Sequence, residues 1–421
     1  MSHNHANYQG RLDFKITDIT PVQYDPECPF KFNNFVYRVS LPAPLSADHS
    51  DKNKTGRSQP GSVAIPAGTR ELIMRLTNPD AEGMNPATRV ENEVAIITLA
   101  ANALSSFKPH VVPRIYGWGS AAGQGGQGWI LQELMPGSPV DESFSKMTLS
   151  EKRGIFRQMV QFLKALQEYN LPSTITGFGG VTFDETGRIV SAAMTSVGAG
   201  PWPSYQASFE DRLKVALKKA DENPYIKGWH ANGLRERLGA FVAQGVPAQF
   251  ETLTSRADKA IVHADFTANN LLFDEKSGRI TALIDYDFAC ISHPSYEFLR
   301  SFDGAGGQFR GWSSDEESEQ AMLRHAKLHE FPSALPPTTE NGVQWEVAKA
   351  WEDELEAAGV KRPRTIAGID KVADVDTVLC SILPWRVSNS DILRLQSEEV
   401  IVECRNENEE ALGKLLGRLG F

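Results

Sequence analysis

Several absences narrow what this chain can be. Its four cysteines, Cys28, Cys290, Cys380 and Cys404, stand far apart without a C-x-x-C pair, which leaves no zinc or redox motif and reads as reduced structural thiols. No apolar run approaches the roughly 18 residues that a membrane helix needs, so no bilayer span is expected. Basic charge is scarce: 43 Lys and Arg against 53 Asp and Glu leave a net charge of −10, which argues against general nucleic-acid binding and suggests a cationic or neutral partner. The opening MSHNHANYQGRLDF has neither a basic leader nor an apolar stretch of signal length, and neither end carries a lipidation motif, so a cytoplasmic location is the expectation. One further absence is local: residues 28–39, CPFKFNNFVYRV, contain no glycine.

At 421 residues the chain exceeds the size at which a single core usually stops growing, so a bilobal unit or two domains are expected. Residues 11–41 hold two runs rich in β-branched and aromatic residues that read as paired strands. Residues 42–69 are crowded with Pro, Ser, Gly and charge, and read as a mobile surface insertion without chemistry. RELIMRLTNP then reads as a strand. The helix that follows is expected to start in a capping box of Thr88 and Glu91 and to present Val90, Val94, Ile97, Ala101 and Leu104 on one face. PRIYGWGS and GWILQELMPG supply two more strands, and Pro136–Gly137 mark a hinge. Beyond it, a second capping box at Thr148 and Glu151 opens a helical half interrupted by a single hairpin. The fold class is therefore α+β: a β-rich N-lobe with one helix over residues 1–134, and a larger, mainly helical C-lobe over 135–421.

Residues 261–289, IVHADFTANNLLFDEKSGRITALIDYDFA, carry the chemistry. LLF and ITALI read as the strands of a hairpin turning at Gly278. Asp265 and Asn270 precede its first strand and Asp285 ends its second, so closing the hairpin gathers all three at one end. Phosphoryl transfer needs a carboxylate to orient a hydroxyl and take its proton, and oxygen ligands to hold Mg2+ against nucleotide phosphates. The order H-x-D-x-x-x-x-N, hairpin, I-D is that of a kinase catalytic loop.

These segments resemble the aminoglycoside phosphotransferase family, with its choline-kinase-like members, in its fungal-type branch. VHADFTANNLLFD is similar to the family's HGDxxxxN segment and LIDYDFA to its IDWExA segment, within a likeness that runs from about residue 20 to about 305. The resemblance implies a protein-kinase-like bilobal fold and transfer from ATP with Mg2+ to the hydroxyl of a small molecule, amino-alcohol or aminoglycoside-like. It implies Asp265 as catalytic base, Asn270 and Asp285 as Mg2+ ligands, and His263 as support for the loop. Arg75 would hold nucleotide phosphates, oriented by Glu93, and the backbone of Gln132, Glu133, Leu134 and Met135 would receive adenine. Glu297 would face the acceptor or cap a helix. Two positions depart from the pattern: Arg75 stands where lysine is usual, a planar fork in place of a point charge, and the glycine-free stretch stands where a phosphate-binding loop would lie.

Other readings compete. Asp265, Asn270 and Asp285 read alone are polar caps on a hairpin, and Asp287 is either a second metal ligand or a solvated residue. Asp285-Tyr286-Asp287 resembles an acidic phosphatase nucleophile motif, but Ala289 stands where a hydroxyl residue is needed. A protein kinase is disfavoured because HPSYEF follows Asp285 too soon for an activation segment. A weak or inactive nucleotide-binding scaffold is the alternative that the missing glycine loop and Arg75 favour.

Overall fold

The computed structural model describes residues 16–22, 28, 30–46, 59–122, 127–313, 315–339 and 342–421. The N-terminal part is a five-stranded antiparallel sheet of β1 (Asp18–Pro21), β2 (Asn34–Ser40), β3 (Glu71–Thr77), β4 (Ile115–Gly119) and β5 (Trp129–Glu133), in the order β1-β2-β3-β5-β4. β3 is central and buried beyond its first residue, which explains its nearly continuous apolar run. Leu72, Met74 and Leu76 pack with Val39 and Leu131 on one face, and Arg75 points to the other.

Among the described residues, the single helix of this part is α1 (Arg89–Ala103). Val90, Val94, Ile97 and Leu104 are buried as the spacing requires, whereas Ala101 is exposed. The expected capping box at its start does not form. Thr88 has φ −124° and ψ −13°, outside the extended cap geometry, and its side chain accepts no cap bond. Asn85 turns the chain instead, its side-chain oxygen accepting from the Ala87 N–H and its carbonyl from Thr88 and Arg89. At α2 (Leu149–Glu168) the cap Thr148 is extended, and the reciprocal bonds with Glu151 are present.

The rest of the chain is mainly helical, built around α2, α3 (Tyr205–Glu222), α4 (Ser295–Arg300), α5 (Trp345–Ala358), α6 (Ile369–Ile382) and α7 (Glu398–Arg418). Its core includes Phe156 edge-on to Trp351, with ring centroids 5.4 Å apart. The helical half holds more strand than one hairpin. Ser138–Pro139 (β6) pairs with the hairpin, Gly180–Phe183 (β7) pairs with Ile189–Ala192 (β8), and Ala260–Val262 (β9) pairs with Cys290–Ser292 (β12). Strands of three or four residues are too short for a period-two signal. The β9–β12 ladder matters most, because Val262 opposite Cys290 clasps both ends of the 261–289 stretch around its hairpin, β10 (Leu271–Asp274) and β11 (Arg279–Leu283).

Of the stretch taken as an insertion, residues 47–58 lie outside the described residues. The part from 59 is fastened to β4: Val63 N–H donates to the Ile115 carbonyl at 2.8 Å, Gln59 brackets the Trp118 backbone, and Ile65 is buried. All four cysteines are free, and no described helix is long and apolar enough to cross a membrane.

Candidate active site

The closed hairpin brings Asp265, Asn270 and Asp285 to one end. The Ile284 N–H donates to the Asn270 carbonyl at 2.9 Å, and Asn270 Nδ2 donates to the Asp265 carbonyl and to Asp265 Oδ2, at 2.9 and 2.8 Å. Burial, helped by the charge of Asp285, pushes the Asp265 carboxyl up to about 6. The backbone kinks on both sides of the hairpin, with Ala264 and Asp285 each at φ +62°, a conformation that costs side-chain-bearing residues energy. Ala264 stands where the HGDxxxxN pattern has glycine.

What stabilises that kink is buried. His263 is enclosed, and burial lowers it to about 4, so the imidazole is neutral at ordinary pH and its Nε2 faces the Ile284 carbonyl at 3.0 Å. It ties the start of the loop to the end of the hairpin. Glu297, only 1% exposed, accepts from the His263 N–H at 2.7 Å, the Ala264 N–H at 2.9 Å and Ser301 Oγ at 2.6 Å. It therefore neither faces an acceptor nor caps its helix: its carboxylate is spent on the backbone that carries Asp265.

The charged cluster around Arg75 is assembled across the two halves. Arg75 on β3 is ion-paired to Glu93 on α1, and its Nη2 donates to Asp285 Oδ1 at 2.7 Å. Burial opposes the Arg75 charge, but Glu93, Asp285 and Asp287 together outweigh it and raise its pKa. Asp287 is buried and therefore not a solvated residue. It takes a 2.7 Å hydrogen bond from Asn34 Nδ2, and the guanidinium nitrogens of Arg89 and Arg75 each lie 3.4 Å away. The Asp287 anchor on Asn34 and Arg89 was not visible in the sequence, because three segments far apart in the chain have to meet. Where a glycine-rich loop would lie, the turn before β2 instead contacts the C-terminal helices: Phe30 packs on Trp385, and the Lys31 N–H donates to Asp391 Oδ2 at 2.8 Å.

The hinge residues divide into two pairs. Gln132 is in register with Ile73 on one side and Ile115 on the other, and the Glu133 N–H donates to the Arg114 carbonyl while its carboxylate contacts His110. Leu134 and Met135 lie beyond the last ladder pair, Leu72 with Glu133.

On the other side of Asp265 is a cavity of about 450 Å³. Ala264 and Asp265 form part of its wall, α3, α4 and α6 form most of the remainder, and Ser196, Val197, Phe288 and Leu383 complete it. Arg212, Lys219 and Arg300 line it. The balance in this wall is the reverse of the acidic net charge of the whole chain, which averages over surfaces that one cavity never meets. The signal that would have found it is the spacing of Arg212, Val215, Ala216 and Lys219, one face of α3 over two turns.

A β-sheet lobe with a buried cation–carboxylate pair, set over a helical lobe that presents Asp265, Asn270 and Asp285, defines the protein-kinase-like class. Within it, the model of the APH phosphotransferase enzyme family matches residues 55–332, and the chain belongs to that family and is a phosphotransferase. Among solved structures it is similar to aminoglycoside phosphotransferase APH(4)-Ia in ternary complex with ADP and hygromycin B (12% identity, 95% of this chain and 94% of that chain, TM-score 0.44). It is similar also to APH(2")-IIa in complex with gentamicin (12% identity, 99% of each chain, TM-score 0.49) and to ethanolamine kinase of Plasmodium vivax (12% identity, 96% and 85%, TM-score 0.44). No curated protein matches the chain.

Proposed function

We propose that the protein transfers the γ-phosphoryl group of ATP, with Mg2+, to a hydroxyl of a small molecule. The observation that carries this reading is Asp265, fixed by Asn270 at 2.8 Å and standing between the Arg75–Asp285 pair and the cavity. There it can accept the hydrogen bond of an acceptor hydroxyl and take its proton as the oxygen attacks. Arg75 offers a fixed fork for nucleotide phosphates, held by Glu93, and the backbone of Leu134 and Met135 offers an edge for the nucleobase.

The residues fit a hard cation. One carboxylate oxygen from each of Glu93, Asp285 and Asp287 lies within 4.8 Å of the others, and buried Asp287 Oδ1, 3.4 Å from the Arg75 guanidinium, has no hydrogen-bond partner among the described residues. Asn270 and Asp285 would hold the Mg2+, with Asp287 as an added oxygen. Bound there, it would neutralise charge on the phosphates.

The test incubates the purified chain with ATP, Mg2+ and a metabolite extract, and follows phosphorylated products by mass spectrometry. A product that disappears with Asp265→Asn is expected. Turnover with peptides alone would sink the small-molecule reading. The second reading, a nucleotide-binding scaffold without turnover, is favoured by the glycine-free turn that contacts Trp385 and Asp391; unchanged turnover in Asp265→Asn, or no binding of Mg·ATP by the parent protein, would remove the mechanism.

A further inference from the structure

The cavity beside Asp265 has a charge pattern of its own. Arg212 and Lys219, seven residues apart on α3, project from one helical face into it, and Arg300 enters from the end of α4. Arg300 already has a carboxylate, Asp376 Oδ1 at 2.5 Å. Arg212 has none: its guanidinium lies over the rings of Phe209 and Tyr296, 5.0 and 5.2 Å from their centroids, contacts that hold its fork flat without neutralising it. Lys219 likewise has no ion pair among the described residues, and Asp265 is the one acidic residue in the cavity wall. None of Arg75, Glu93, Asp285 or Asp287 lines the space, so these cations are separate from the group that faces the nucleotide phosphates. Val215, Leu379 and Leu383 supply apolar wall between them. About 450 Å³ lies within the range of small-molecule sites.

Two uncompensated cations, a third only partly satisfied, and hydrocarbon walls suit a ligand with one anionic end and an apolar body. A cationic ligand would add to the repulsion. We infer that the acceptor is itself an anion, a hydroxy-carboxylate with a hydrocarbon body, its carboxylate held by Arg212 and Lys219 and its hydroxyl presented to Asp265. This rests on the phosphotransferase reading above and specifies its substrate class. The carboxylate suits the planar fork, which pairs with it through two parallel N–H bonds. In the step that follows, the acceptor oxygen forms a new bond to the γ-phosphorus, the bond from that phosphorus to the β–γ bridging oxygen breaks, and ADP leaves with the electron pair. The hydroxyl proton goes to Asp265. The products are the phosphate monoester of the hydroxy-carboxylate, its carboxylate unchanged, with ADP and a proton.

The test divides a metabolite extract by ion exchange into anionic, neutral and cationic fractions, and each is incubated with the full chain, Mg2+ and γ-labelled ATP. Asp265-dependent label in the anionic fraction is expected. Label only in the cationic or neutral fraction overturns the inference and leaves the phosphotransferase reading standing, whereas no Asp265-dependent label in any fraction sinks both. Treating the anionic fraction with a phosphatase, removed before ATP is added, separates a carboxylate from a phosphate ester. Surviving label supports the carboxylate, and its loss overturns that assignment. With the labelled acceptor in hand, Arg212→Gln and Lys219→Gln are each expected to raise its KM at least tenfold while leaving the KM for ATP within twofold. Equal changes in both KM values, or none in the acceptor KM, would refute the binding role.

Discussion

Asp265 separates two charged regions built on opposite plans. On the side of the sheet, Arg75 and Arg89 meet Glu93, Asp285 and Asp287, so each cation has a carboxylate and the surplus is negative. On the cavity side, Arg212 and Lys219 line the wall with no ion pair among the described residues, and of the three cations there only Arg300 has a carboxylate partner. The first region is largely buried and internally paired; the second is more open, and its charges are mostly unpaired among the described residues. Buried ions must be paired because leaving water is costly, whereas a half-exposed arginine can be tolerated by solvent and aromatic faces. The difference teaches how one loop can border two regions of opposite balance, with surplus carboxylate on one side and surplus cation on the other.

The largest effect is expected at the boundary itself. Asp265→Asn keeps the shape and removes the proposed base, so kcat should fall by roughly two to four orders of magnitude with the circular dichroism unchanged. The same carboxyl sets the pH dependence. Only its ionised form accepts the hydroxyl proton, and burial together with Asp285 pushes it up to about 6, so kcat/KM should rise with pH through about 6 and level off above. A profile flat from pH 5 to 8 would take the base role away from Asp265.

Next in size are two arginine truncations that oppose the regions directly. Arg75→Met leaves Glu93 and Asp287 buried without their shared cation and should cost about 3–5 kcal/mol in denaturant unfolding. Arg212→Met removes a cation with no carboxylate partner and only two ring contacts, and should cost under about 1 kcal/mol. Equal losses would mean that the two regions do not differ in the way their charges are paired.

The sequence made these regions unequally legible. Asp265, Asn270 and Asp285 lie within 21 residues, and their offsets alone point to one end of a hairpin. Arg75 and Glu93 needed the family resemblance, since a strand cation and a helix acid 18 residues on are common in unrelated folds. Asp287 is fixed by Asn34 and Arg89, residues brought to it only by packing between the sheet and the hairpin. The cavity is harder still: Arg212, Arg300 and Leu379 come from three helices and share no local motif. Capping shows the same limit on a small scale. Thr148 and Thr88 have the same S/T-x-x-E signature, and only the one whose backbone is extended uses it.

The smallest effect is expected at Ala264, in the cavity wall beside Asp265. Its φ of +62° costs an alanine about 1 kcal/mol or more, while glycine adopts it freely but gives up about 0.5–1 kcal/mol of chain entropy on folding. The two nearly cancel, so Ala264→Gly should change stability by less than about 1 kcal/mol, toward the stable side. Activity should hold within twofold, because the loop is set by Glu297, whose carboxylate grips the backbone N–H groups of residues 263 and 264 whatever the side chain. The methyl is also part of the cavity wall, so a measurable rise in acceptor KM with no change in ATP KM would tie this residue to the acceptor region. A stability loss above about 1 kcal/mol would mean that the methyl packs more tightly than the left-handed backbone strains, and the kink would then be a packing feature instead of a stored strain.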